Sequence, residues 1–209
     1  SMWRLFPEDR PLSGTISADI NKLTKLEVLD LGDNLFEGPI PSQLGDLEYL
    51  QVISFYNNQL SGPIPTELAN LSQLTELNLT TNMLNGHIPT ELGNLENLQI
   101  LFLSDNQLTG EIPLSLGNLS QLVELDLGGN QLTGGIPSQL GNLSSLQRLH
   151  IWGNQLTGPI PSELGNLNAL RELGLGGNQL TGTIPSTIWD LTNLEFLSLG
   201  WNNLEGNIP

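Results

Sequence analysis

The chain is 209 residues long, enough for one or two ordinary domains, and carries 22 acidic against 6 basic side chains, a net charge of −16. Nucleic acid and anionic membrane surfaces both need a basic footprint, so neither is an expected partner, and any charge steering favours cationic ones. There is no cysteine, which removes disulfides, thiolate nucleophiles and sulfur-ligated zinc, and no apolar run approaches the roughly 18–20 residues of a membrane span.

From the N-terminus, Ser1-Met2 reads as a cloning scar, and no signal peptide is visible. From Leu12 onward one unit recurs without insertion or deletion. The asparagines at 34, 58, 82, 106, 130, 154, 178 and 202 keep a spacing of 24, as do the prolines from 41 to 209 and the glycines from 14 to 206. Such self-similarity is the mark of a repeat architecture. Extended backwards, the register places Met2, Leu5, Pro7, Arg10 and Leu12 on framework columns. Residues 1–22 are therefore expected to be the scar plus a degenerate capping repeat. Residues 23–209 are expected to be eight 24-residue units, the last ending without a cap.

Within a unit, a stretch such as Leu122–Leu127 alternates apolar and other residues, the pattern of a short strand with one buried face. The asparagine that follows can satisfy backbone groups in a bend through both its amide donors and its acceptor. Gly134 and its equivalents permit angles that larger residues resist. The Ile-Pro pair then opens a short helical or 3-10 turn, where proline's missing N–H does little harm, and Leu140 and Leu143 point inward. One unit cannot bury its leucines alone. Stacked units predict a right-handed α/β solenoid with a parallel sheet on the concave face and short turns on the convex face.

The unit L-x-x-L-x-L-x-x-N-x-L-x-G-x-I-P resembles the plant-type leucine-rich repeat, over Leu12 to Pro209. The resemblance implies a non-catalytic receptor-like ectodomain or a secreted defence or signalling protein, outside the cell or on its surface. Such ectodomains usually begin with a cap of paired cysteines, which is lacking here, and the chain stops in mid-unit at Gly206–Pro209.

Function is expected at the strand positions that the framework leaves free, which face solvent. Tyr56, Phe102, Trp152, Phe196 and Trp201 fall there, with Arg148, His150 and Arg171 among them. Exposed aromatics and arginine dominate binding hot spots, which predicts a ligand face, with Gly174, Gly176 and Gly177 as a shallow floor between Trp152 and Trp201. The competing reading of the arginines is structural: Arg148 lies between Glu124 and Glu172, and Arg171 neighbours Glu195, as cross-strand pairs that tie the sheet together.

His87 and His150 are the only histidines, and no nucleophile, base and acid converge on either, so no enzyme is expected. Asp30, Asp33, Asp105 and Asp126 do not cluster like calcium ligands; no metal or cofactor is expected. Asn70, Asn78, Asn118 and Asn142 head N-x-S/T sequons, candidates for glycosylation in a secreted protein. The partner expected is a protein, peptide or small ligand on the concave face. Two alternatives compete with it. An assembly solenoid would self-associate through its uncapped C-terminal end. An ice-binding surface would use outward ranks of Gln107, Gln131, Gln155 and Gln179 beside Thr109, Thr133, Thr157 and Thr181, spaced at the strand repeat of about 4.8 Å.

Overall fold

Each 24-residue unit contributes two short strands and one 3-10 turn, and the units stack so that like elements pair. The computed structural model describes residues 11–208; Met2, Leu5, Pro7, Arg10 and Pro209 lie outside the described residues. The first strands of the units build one eight-stranded parallel sheet: Val28–Asp30, Val52–Ser54, Glu76–Asn78, Ile100–Phe102, Glu124–Asp126, Arg148–His150, Glu172–Gly174 and Phe196–Ser198. Partners are one unit apart, as in Leu125 opposite Leu149, so identical columns lie side by side. This is the concave sheet. Its central residues Leu77, Leu101, Leu125, Leu149 and Leu173 are buried, while their neighbours in the strand face outward.

The turns resolve as 3-10 throughout, and there is no α-helix among the described residues. The physical reason is length. In Leu114–Asn118 the chain has five residues to reverse; Leu116 N–H donates to Pro113 O at 3.1 Å, and Leu119 N–H to Leu116 O at 3.2 Å. Bonds of this i to i−3 type close a tighter coil than an α-helix. Proline sits just before each of the seven turns from Ser42–Asp46 onward, where it has no N–H to leave unpaired. A glycine inside the turn lets the next unit approach: a Cβ on Gly117 would lie 2.5 Å from Gln139 O.

A second sheet, which the alternation did not announce, is built from the segment after the asparagine. Six strands pair in one block from Ser13–Thr15 to Gln131–Thr133, and three in another: Thr157–Pro159, Gln179–Thr183 and Asn203–Glu205. Backbone bonds from Gln155 N–H to Leu132 O (2.8 Å) and from Thr157 N–H to Gly134 O (2.7 Å) join the two blocks. Register here advances by 22 residues, as in Gln131 opposite Thr109, although the sequence repeats every 24.

The core runs unbroken between the two sheets and the turns, from Ile16 to Leu191. Leu140 and Leu143 are fully buried, as are Leu108, Leu132, Leu156 and Leu180. Towards the C-terminus burial declines, and Leu197, Leu199 and Leu204 are only partly covered. The repeating asparagine is the fastener between units. Asn130 Nδ2 donates to Leu103 O, Leu127 O and Gly128 O at 3.0, 3.1 and 3.1 Å, and its Oδ1 accepts from Leu108 N–H at 3.0 Å. Two of those partners belong to the preceding unit, so every asparagine binds its own bend and its neighbour's.

Candidate ligand-binding face

The concave sheet offers a strip three residues wide, about 10 Å at the usual rise per residue. Along it the candidate residues fall into two groups. Tyr56 and Phe102 lie towards the N-terminal end, both half-buried. The Tyr56 ring covers Gly32 on the preceding strand, where an added Cβ would overlap it, and its hydroxyl donates to Asp33 Oδ2 at 2.8 Å. Asn57 Nδ2 donates to Asp33 Oδ1, also at 2.8 Å. These two bonds, Asn57's foremost, hold the Asp33 carboxyl below its ordinary range, against a smaller opposing effect of burial.

The second group occupies the C-terminal three units. Arg148 forms an ion pair with Glu124 on the strand before it, and that hydrogen bond raises the guanidinium's pKa further. Arg171 Nη1 donates to Glu195 Oε1 at 3.0 Å. Arg171 thus engages the acid that the cross-strand reading assigned to it, and Arg148 engages one of its two, Glu172 standing against His150 instead. His150 Nε2 is buried and stands 3.1 Å from Glu172 Oε2 without the alignment of a hydrogen bond. The His150 ring meets Phe196 edge-on, with centroids 6.4 Å apart and planes at 73°. Trp152 lies flat over Gly128, and its Cδ1 would stand 3.6 Å from a Cβ on Gly174.

The glycine floor differs from expectation. Gly174 is buried, roofed by His150 and Trp152. Gly177 belongs instead to a backbone requirement: the residue before each asparagine is left-handed in all eight units, with φ of 56° at Asp33, 61° at Gly129, 68° at Gly177 and 58° at Trp201. Gly176 is closed off as well, because a Cβ there would stand 3.1 Å from both Gly200 O and Ser198 Oγ; open space appears at Gly200, where nothing lies within 4 Å of an added Cβ. Beside that space Trp201 is 92% exposed, Phe196 51% and Trp152 39%.

On the strip towards the N-terminus, Glu76 is half-buried between Val52 and Ile100. Burial first, then repulsion from Asp30 and Glu124, pushes its carboxyl above the ordinary range. Among the described residues no group of three or more histidine, aspartate or glutamate side chains could hold a metal ion.

The sequons separate by face. Asn70, Asn118 and Asn142 are the exposed last residues of 3-10 turns on the convex side. Asn78 lies on the concave sheet, half-buried, its Oδ1 accepting from Thr80 N–H at 3.2 Å.

The polar ranks of the second sheet also differ from expectation. The intervening leucines do point inward, but the 22-residue register places Gln131 beside Thr109 rather than beside Gln107. Like side chains are therefore shifted two residues along as well as one strand across, about 8 Å apart at ordinary strand dimensions. No straight rank at the strand spacing exists there.

A family model described as a leucine-rich repeat region matches residues 66–176, over half of the chain. The chain belongs to the leucine-rich repeat family. Further leucine-rich repeat models match residues 24–84 and 169–191. No curated protein matches the chain. Among solved structures, this leucine-rich repeat protein is 37% identical to the plant peptide hormone receptor RGFR1 in complex with RGF2, with a TM-score of 0.90 over 93% of this chain and 35% of that one. It is 39% identical to the Arabidopsis receptor kinase HAESA in complex with the peptide hormone IDA and the co-receptor SERK1, with a TM-score of 0.91 over 94% and 33%. A plant ice-binding protein is 31% identical, with a TM-score of 0.81 over 96% and 72%. The chain thus spans about a third of the receptor chains that it matches. It is a plant-type leucine-rich repeat protein resembling receptor ectodomains.

Proposed function

We propose that this leucine-rich repeat protein is a non-catalytic recognition scaffold that takes a peptide or protein along its concave sheet, outside the cell. The observation that carries this reading is the exposure of Trp201, Phe196 and Trp152 together on one end of that sheet. A framework that repeats every 24 residues gains nothing in stability from an indole 92% exposed, whereas exposed aromatics are what binding sites use. The likeness to receptors solved with peptide hormones supports the same reading.

The test is capture of partners from host extract by the wild-type protein and by Trp152→Ala/Trp201→Ala, read by mass spectrometry. A partner retained by wild type alone supports the proposal. Identical captures by both proteins would overturn the site.

A further inference from the structure

The two ends of the concave strip carry different charge. On the five N-terminal strands and their turns the outward acids are Glu27, Asp30, Asp33, Glu76, Asp105 and Asp126, with Glu124 already committed to Arg148. No lysine or arginine shares those positions, and no salt bridge among the described residues reaches any of the six. Their local bonds come from neutral donors: Gly32 N–H to Asp30, Gly128 N–H to Asp126, and Asn57 and Tyr56 to Asp33. Glu76, whose carboxyl is raised first by burial, is also repelled by Asp30 and Glu124. The three C-terminal strands instead carry basic side chains among their acids: Arg171 pairs with Glu195, and Arg148, bound to Glu124, lies opposite Glu172; the exposed surface there is aromatic.

Resting on the recognition reading above, we infer that the ligand is an extended peptide of two parts, a basic segment over the first five concave strands and a large apolar residue against Trp201 and Phe196. The width favours a single chain, because a strip of about 10 Å accommodates one extended backbone rather than a folded domain. The spacing follows from the sheet. From Glu124–Asp126 to Phe196–Ser198 is three strand steps, about 14 Å, which four to five residues of extended chain would bridge. Charge complementarity would select the partner and speed its encounter, and the apolar anchor would slow its release.

Selection from a random library of 12-residue peptides against the wild-type protein tests this. Each winner is then measured against Asp105→Asn/Asp126→Asn and against Trp152→Ala/Trp201→Gly. Both aspartate changes suit the fold: asparagine already occupies the left-handed position at Asn57, and at 126 it keeps an oxygen for Gly128 N–H. The expected winners carry two or more lysines or arginines, set four or five residues from an aromatic or long aliphatic residue. They should lose about tenfold in affinity to each variant, and lose the charge contribution as salt rises. Winners that bind wild type and the aspartate variant equally, yet fail on the tryptophan variant, would overturn the two-part ligand and leave the recognition face standing. Winners indifferent to both variants, or none above background, would overturn both.

Discussion

Trp201 is the residue at which local stability and exposure are most at odds. Its φ of 58° places an L side chain in the left-handed region, which costs roughly 1–2 kcal/mol relative to glycine, and Gly129, Gly153 and Gly177 avoid that cost at the same position. Because the indole is so exposed, removing it forfeits almost no packing. Trp201→Gly should therefore raise the urea midpoint, by an equivalent of about 1 kcal/mol, while abolishing ligand capture; a lowered midpoint would show that the indole is structural. Glu76 makes a pH-dependent counterpart. Its carboxyl is raised in the folded state, so the ionised form costs stability, which is fully available below the ordinary carboxylate range and lost as pH climbs through the raised one. Glu76→Gln should melt higher than wild type at neutral pH, with the difference closing in acid. A difference unchanged by pH would rule out ionisation as its cause. The left-handed column was readable in principle, since glycine, asparagine and aspartate dominate it, but the threonine and tryptophan among them made it look like a variable binding column. The pairing of each ring with a glycine one unit earlier, Gly32 with Tyr56 and Gly128 with Trp152, was likewise present in the sequence. It becomes visible only once the direction in which the rings lean is known.

At the scale of the element, the asparagine bend outweighs the strands that it joins. A three-residue strand is short and has few bonds of its own. Asn130 supplies four more to groups that are otherwise shut away from water. Replacing it by alanine would remove the amide oxygen that Leu108 N–H donates to, at about 1–3 kcal/mol, and take three donor contacts from carbonyls, at about 0.5–1.5 kcal/mol each, although Leu103 O would keep Asn106 Nδ2. Asn130→Ala is expected to cost about 3 kcal/mol or more in urea unfolding, and Asn130→Asp at least as much at neutral pH, because a buried carboxylate would face three carbonyls. A loss under 1 kcal/mol would mean that water replaces the amide. The concave strands, the turns and the inward leucines were legible because the framework states them in every unit. The second sheet was not. Its strands alternate over only three to five residues around a glycine, and a period of 24 conceals a register of 22, since stagger is a relation between units rather than a property of either.

At the scale of the whole molecule, stability is a sum of units and of the contacts between neighbours. Burial is complete around Leu108 and falls away at Leu199 and Leu204. The amides of Leu108 and Leu180 have equivalent partners, each donating to an asparagine oxygen at 3.0 Å, so bond geometry predicts equal protection and position does not. Hydrogen exchange should be at least about tenfold faster at Leu180, whose asparagine stands in the half-covered last unit; equal rates would indicate all-or-none opening of the chain. The face that carries recognition was legible as a region from the mismatch between fixed and free columns. Its polarity was not, because the sum of −16 does not reveal that the arginines cancel charge at one end of the strip only.

The asparagine fasteners also give the molecule a mechanical character. Each grips only its own bend and the one before, so tension applied between the two ends would load the fasteners in series, the weakest at the margin yielding first. Freeing one rung exchanges a rise of about 5 Å for 24 residues of slack chain, roughly 75 Å net at full extension. Stretched in this way, the protein would behave as a cord that pays out in even lengths, and rungs still closed would keep their shape while their neighbours were drawn straight.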